Sequence, residues 1–172
     1  NYGVGWFEPF SHQRISFNTI YVADPFFSIG PGIALLVLII LKHSSMKQRR
    51  RWSLIGLGFS SLYLLYCIFN KAMINGDVKA ILQKQNIHHT RYFTTPTALQ
   101  NWLWYVVAGN DSGYYIGYRS VFDKKKQIDF EYFPRSDAFL DSVEDTEELQ
   151  KLKRFSQEFY TVEKWNDTLV FN

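Results

Sequence analysis

Two long stretches without charged residues constrain the fold of this 172-residue chain more than any other feature. They cover residues 25–41 and 52–70, and ten residues separate them. A transmembrane helix needs roughly 17 to 25 mostly apolar residues, and neither stretch has the polar face of a soluble surface helix. We therefore predict a two-helix transmembrane hairpin over residues 25–70. The alternative is a fully buried helical hairpin, which a domain of this size could hardly wrap on all sides.

Small residues and one proline mark the two predicted spans. The sequence Gly30-Pro31-Gly32 lies inside the first. Because proline lacks an amide hydrogen and clashes with the preceding helical turn, we expect the first turns to bend or unravel, so that a helix starting at Ile33 would be short or re-entrant. In the second span, Gly56 and Ser60 have small-xxx-small spacing, which predicts the close approach of another helix.

The loop at residues 42–51 is strongly basic. It contains five Lys or Arg residues and no acid: Lys42, Lys47, Arg49, Arg50 and Arg51. Basic residues concentrate in cytoplasmic loops, so we predict that this loop is cytoplasmic and that both flanking regions lie outside. A basic run can also bind nucleic acid, but between two apolar spans it favours contact with anionic lipid headgroups. We expect the bilayer as a partner and no nucleic acid.

The second half of the chain differs from the first in charge and pattern. Residues 1–86 carry a net charge of +6 and residues 87–172 one of −3. We predict a connecting amphipathic helix at 71–86, followed by a small antiparallel-sheet α+β domain at 87–172. Its elements are expected as strands at 101–108, 114–122 and 127–133, a helix opened by the capping box Asp145 and Glu148, and a hairpin at 159–171 that turns at Asn166-Asp167.

The sequence excludes several kinds of site. The single cysteine, Cys67, rules out an internal disulfide and a zinc knuckle built on cysteine pairs. There is no nucleotide-binding glycine loop, HExxH helix or Gly-x-Ser-x-Gly elbow. The adjacent His88 and His89 would point to opposite faces of an extended segment, so we interpret them as surface histidines. The many aromatic residues of the predicted sheet indicate an aromatic core rather than a surface that stacks a sugar or base.

The N-terminal flank carries three ionisable residues near the membrane boundary, Glu8, His12 and Asp24. Asp24 directly precedes Pro25 at the start of the first span. A carboxylate at this point could serve a functional site, or it could cap the helix, because Asp before Pro is a common helix-start pair.

Short motifs in a fixed order carry a resemblance over nearly the whole chain. They are Asn1-Tyr2-Gly3, Pro9-Phe10-Ser11, Arg14-x-Ser16-Phe17-x-Thr19-Ile20, Asp24-Pro25, two apolar spans, Asn70-Lys71, Thr95-Pro96-Thr97 and Gly113-Tyr114-Tyr115. This order resembles the YdjM-like family of inner-membrane metal-dependent hydrolases. The family's His and Asp motifs lie in a region that this sequence lacks, so we expect the chain to be the C-terminal part of a longer protein.

The resemblance implies a membrane-bound hydrolase that uses a divalent metal ion, with most ligands upstream of Asn1. Asp24 would bind the ion or orient one of its ligands, and Tyr2 and Arg14 would lie near the site. The catalytic residues and the substrate stay unknown. We expect a multi-pass protein of the bacterial inner membrane with an extracytoplasmic C-terminal domain, a partner in the N-terminal region of the same protein, and no activity in this chain alone. The alternative is a non-catalytic, membrane-anchored binding module.

Overall fold

The computed structural model describes residues 4, 7, 9–11, 15–43, 45–135, 147–156, 159–165 and 168–171. Two helices precede a small antiparallel sheet of four strands, which confirms the predicted α+β class. The elements are α1 (Pro25–Ile40), α2 (Met46–Lys84), β1 (Arg91–Pro96), β2 (Leu103–Asn110), β3 (Gly113–Ser120), β4 (Glu131–Pro134), α3 (Glu147–Phe155), β5 (Val162–Trp165) and β6 (Thr168–Phe171).

Helix α1 runs unbroken through Gly30-Pro31-Gly32, so the predicted unravelling of its first turns is wrong. Pro31 has no amide hydrogen to give to the carbonyl of Phe27, four residues earlier. The hydroxyl of Ser60 in α2 donates a hydrogen bond to that carbonyl at 2.8 Å. The carbonyl that Pro31 leaves without a backbone donor therefore receives its hydrogen bond from the neighbouring helix. With 16 residues, α1 is about 24 Å long.

Helix α2 is a single helix of 39 residues. It begins inside the predicted basic loop and continues through the predicted boundary at residue 70 to the end of the predicted amphipathic helix. Three internal glycines do not break it, since each costs only about 1 kcal/mol relative to alanine. Among the described residues, α2 is the one helix long and apolar enough to cross a membrane, whereas α1 is a shorter apolar helix.

The two helices pack against each other in opposite directions through small residues. A side chain at Gly56 would bring its Cβ within 2.7 Å of the Cβ of Ala34 and 3.3 Å of the carbonyl oxygen of Gly30. Ser60, one turn later, is also buried. The small-xxx-small prediction for Gly56 and Ser60 is thus confirmed, with α1 as the partner helix.

We expect Ser60→Ala to destabilise the helix pair by about 0.6 kcal/mol, the average for polar contacts between membrane helices, and by at most about 1.7 kcal/mol. The alanine leaves the Phe27 carbonyl without the donor that replaces the missing Pro31 amide. Unfolding in lipid bicelles measures the loss, and Ser61→Ala on the exposed side of α2 is the matched control. Equal stabilities for both variants would contradict this role of Ser60.

The four strands form a meander in the order β1-β2-β3-β4, with all neighbours antiparallel. The predicted strands at 101–108 and 114–122 correspond to β2 and β3 with small shifts, and β4 covers only the end of the predicted 127–133 strand. β1 was not predicted. The C-terminal hairpin is confirmed as β5 and β6, while Asp145 of the capping box and the turn Asn166-Asp167 lie outside the described residues.

The core lies between the second half of α2 and one face of the sheet. Helix residues at i, i+4 and i+7 spacing meet alternate residues of β2, as expected for these two periods. The buried members are Ile74, Val78, Ile81, Leu82, Trp104, Val106, Ala108 and Ile128. On the opposite face, Phe159 packs on Phe93 and Tyr114, so one end of that face is also covered.

Candidate functional site

Asp24 lies buried, at 3% exposure, where α1 begins. One carboxylate oxygen accepts the amide hydrogen of Phe26 at 2.9 Å, which makes Asp24 the N-cap of α1. The other accepts the hydroxyl hydrogen of Tyr63 in α2 at 2.9 Å. Asp24 therefore caps one helix and ties it to the other, and each of its oxygens has a partner.

Aromatic rings from three parts of the chain pack together next to the two residues that bind this carboxylate. The Phe26 ring centroid lies 6.1 Å from that of Tyr63 and 5.0 Å from that of Trp102, just before β2. Tyr63 in turn lies 6.1 Å from Tyr66. Tyr and Trp rings of this kind are typical of the boundary between hydrocarbon and water. No sequence pattern indicated that Trp102, 39 residues after Tyr63, would pack at the same place.

Asn101 joins the sheet to both preceding segments. Its side-chain amide donates to the carbonyl of Thr19 at 2.8 Å, and the side chain of Asn70 donates to the backbone and side-chain oxygens of Asn101, both at 3.1 Å. Trp104 Nε1 also donates to the Asn101 carbonyl. Because both asparagines are buried, an opening of this joint would leave unpaired polar groups. The sheet is thus held firmly at the end of the second apolar stretch.

One helical position further, Lys71 reaches into the sheet. Its Nζ donates to the carbonyl and the hydroxyl of Thr94 and lies 5.5 Å from the centroid of the Trp104 ring. Burial lowers the pKa of Lys71 to about 8, because removal from water disfavours the charged form. The hydroxyl of Thr94 in turn donates a hydrogen bond to the side-chain oxygen of Asn75 in α2.

A second polar contact between α2 and the sheet centres on Arg119 in β3. Arg119 is 2% exposed, and its Nη2 lies 2.9 Å from a carboxylate oxygen of Asp77, whose other oxygen lies 2.8 Å from Lys126 Nζ. Burial raises the pKa of Asp77, but hydrogen bonds from Lys126 and Arg119 outweigh it and hold this pKa below its usual value. Sequence reasoning missed this cluster.

The structure brings only one of the predicted site residues into view. Asp24 is described, whereas Tyr2, Glu8, His12 and Arg14 lie outside the described residues. Within the part of the chain that is described, no group of three or more His, Cys, Asp or Glu residues could hold a metal ion. His89 contacts the Ile87 carbonyl and packs edge-on against Tyr92.

Comparison with protein-family models, curated proteins and solved structures found no match to this chain. The fold and the contacts define its class by themselves. It is an α+β chain in which one helix, long and apolar enough to cross a membrane, continues into the core of a four-stranded sheet domain.

Proposed function

We propose that the chain is a membrane-anchored module in which α1 and α2 insert into a bilayer and hold the sheet domain at its surface. The observation that carries this proposal is the outward face of the helix pair. Large apolar side chains cover it on both helices: Ile33, Leu35, Leu36, Ile39, Ile40, Leu54, Ile55, Leu57, Phe59, Leu62, Leu64, Leu65, Ile68 and Phe69 are all exposed. Soluble monomers rarely expose contiguous apolar patches beyond a few hundred Å².

The distribution of polar groups along α2 supports the same proposal. Residues 52–70 would measure about 28 Å as helix, close to the thickness of the hydrocarbon core of about 30 Å. Polar side chains of α2 bind the sheet domain from Asn70 onwards, and basic residues precede Trp52. α1 is shorter than this thickness, and local thinning of the bilayer accommodates such a mismatch at modest cost.

We propose further that the basic segment at 42–51 is cytoplasmic and that the sheet domain faces the outside of a bacterial inner membrane, because basic residues favour the cytoplasmic side. The test uses single cysteines in a Cys67→Ala background. Ser112→Cys, in the exposed β2–β3 turn, should react with a membrane-impermeant thiol reagent in intact spheroplasts, and Ser45→Cys, between α1 and α2, only after lysis.

The opposite labelling pattern would reverse the proposed orientation. Labelling of both positions only after lysis, together with release of the chain into the soluble fraction, would contradict membrane anchoring itself. The two positions lie at the two ends of α2 and its attached domain, so one preparation tests anchoring and orientation together.

A second candidate is a hydrolase, which rests on the resemblance and on one observation, the buried Asp24 carboxylate at the start of α1. In this proposal the chain is the C-terminal part of a longer enzyme, and Asp24 binds a divalent ion or orients one of its ligands. A catalytic zinc site typically takes three protein ligands. The described residues contribute one carboxylate here, and both of its oxygens are already engaged. These residues alone do not form the site, and no catalytic step follows from them.

The Asp24→Asn variant separates capping from metal chemistry. Asparagine keeps an acceptor for the Phe26 amide, and its NH₂ group can donate to the Tyr63 oxygen, so the loss of stability should stay within about 1 kcal/mol. If the carboxylate serves a metal ion, the longer protein that contains this chain should lose metal affinity about 10- to 100-fold. Metal content and hydrolytic activity at equal folded yield provide the measurement.

Tyr63→Phe is the control for this variant, since it removes the hydrogen bond between α2 and Asp24 and leaves the carboxylate in place. Unchanged metal content and activity in Asp24→Asn would leave Asp24 as a helix cap only. An equal loss in both variants would assign the effect to helix packing rather than to the charge.

A further inference from the structure

The turn that follows β3 presents an aromatic side chain beside exposed lysines. Phe122 is 72% exposed, and Lys124, Lys125 and Lys126 follow almost directly in the sequence. Lys126 pairs with Asp77, whereas neither Lys124 nor Lys125 forms an ion pair with any residue that the structure describes. A solvated turn explains the lysines but gives no reason for a phenylalanine in water.

Hydrogen bonds from the buried Arg119, together with two bonds at the surface, hold this turn in place. The guanidinium of Arg119 donates to the carbonyls of Asp123 and Lys125. The Ser120 amide donates to the Asp123 carboxylate at 2.9 Å, and the Phe122 amide donates to the Ser120 hydroxyl at 3.2 Å. Phe122, Lys124 and Lys125 are therefore presented outward by a preformed scaffold, which lowers the entropic cost of binding through them.

The turn lies at the end of the sheet from which the helix pair emerges. The amide of Val121 donates to the carbonyl of Trp102 at 2.8 Å, and the Trp102 ring packs on Phe26 in the first turn of α1. The neighbouring residue, Asn101, bonds to Asn70, the last residue of the second apolar stretch. These contacts bring the turn close to the boundary residues of both helices.

Two further apolar side chains are exposed at the same end. Leu99, in the turn before Asn101, is 54% exposed and has a φ of 62°, a left-handed conformation that is unfavourable for a bulky residue. Val22, two residues before the cap of α1, is 84% exposed. Neither the local backbone nor packing within the described protein explains an apolar side chain at these two positions. An apolar partner outside the described protein explains them best.

We propose that this end of the sheet domain, the docking end formed by Phe122, Lys124, Lys125, Leu99 and Val22, binds directly to the surface of a bilayer that contains anionic lipids. Phe122, Leu99 and Val22 enter the interfacial layer, and the two lysines bind headgroup phosphates. The inference rests on the proposed function, because the helix pair brings this end to the membrane. The apolar surface of the helix pair also continues into the docking end.

The expected strength of this contact is sufficient for a tethered domain. Each lysine near an anionic surface strengthens binding roughly fivefold, and aromatic side chains are favoured at the headgroup level. These terms are too small to bind a free domain firmly. The helix pair, however, makes docking intramolecular, so that a weak contact is populated through the high effective concentration. Docking would then fix the orientation of the sheet relative to the membrane.

The test uses the whole chain in nanodiscs, in a Cys67→Ala background with an environment-sensitive fluorophore on single cysteines. Lipids with a doxyl quencher near the headgroup report shallow insertion, and deep quenchers report spans. We expect shallow quenching at Phe122→Cys and Leu99→Cys to exceed that at Ser112→Cys by about twofold or more in discs with anionic lipid, and to be weaker in purely zwitterionic discs, since the lysines respond to surface charge. Leu65→Cys, within the second apolar stretch, should be quenched deeply in both.

The double variant Lys124→Gln/Lys125→Gln should reduce the quenching at position 122 in anionic discs to about the zwitterionic level. Lys79→Gln/Lys84→Gln, which removes the same charge from exposed positions on α2, should leave it unchanged.

Quenching at 65 without quenching at 122 would overturn the docking proposal and leave the anchoring proposal intact. No quenching at 65 would overturn both. Quenching at 122 that ignores lipid charge or the double variant would overturn the proposed role of anionic lipids.

Discussion

Gly56→Leu should separate α1 from α2 and destabilise the helix pair by about 3 kcal/mol or more. The Cβ of any side chain at this position would lie 2.7 Å from the Cβ of Ala34 and 3.3 Å from the Gly30 carbonyl oxygen. Neither neighbour can move without its helix, so the leucine forces the helix axes apart. That displacement also breaks the hydrogen bonds from Ser60 to Phe27 and from Tyr63 to Asp24.

Gly58→Leu is the matched control, because a Cβ at Gly58 meets no atom within 4 Å. It makes the same chemical change two residues away on the open face of α2. The free energies of unfolding of the two variants are compared in bicelles. The distance between positions 60 and 27 reports whether the helices have separated. Equal stabilities of the two variants would contradict the contact of α1 with α2 through Gly56.

The helix pair illustrates which features the sequence alone could predict. The small-xxx-small spacing of Gly56 and Ser60 lies within one helix, and it correctly indicated a close partner. The effect of Pro31 could not be predicted in the same way. Its missing hydrogen bond is replaced by Ser60, whose hydroxyl reaches the Phe27 carbonyl across 33 positions of sequence. A local rule for proline cannot include a donor that only tertiary packing supplies.

In the sheet and the candidate site too, local patterns could be predicted from the sequence, whereas contacts between distant residues could not. Alternating residues predicted β2, and the turn residues after it predicted β3 as its partner strand. The segment of β1, with the sequence Thr94-Thr95-Pro96 at its end, has neither signal. Asp24 was predicted with two roles open, and its capping role is confirmed. Its bond to Tyr63 spans 39 positions and the pair Arg119–Asp77 spans 42. No spacing rule connects residues so far apart.

Arg119→Met should destabilise the sheet domain by about 3 kcal/mol, the lower end of the range for breaking a buried ion pair. The variant removes the hydrogen bonds to Asp77 and to the carbonyls of Asp123 and Lys125. Asp77 keeps its contact with Lys126, which limits the loss. Arg91→Met is the control, because Arg91 is exposed and stacks on Phe159, a contact worth about 1 kcal/mol or less.

The stability that the pair Asp77–Arg119 contributes should also depend on pH in the acid range. The pKa of Asp77 is held below its usual value in the folded state, so on acidification the unfolded chain takes up the proton first. The stability that Asp77 contributes is therefore present above about pH 4, the ordinary pKa of an unfolded Asp, and is lost as the pH falls through the lower, folded value. Arg119→Met removes one of the two cations that depress this pKa, so it should lose less stability than the wild-type chain between pH 5 and the acid limit of folding. Chemical unfolding of the sheet domain at several pH values measures both slopes. Parallel slopes would show that Arg119 does not stabilise the Asp77 carboxylate, and would assign its effect to its contacts with the turn at Asp123 and Lys125.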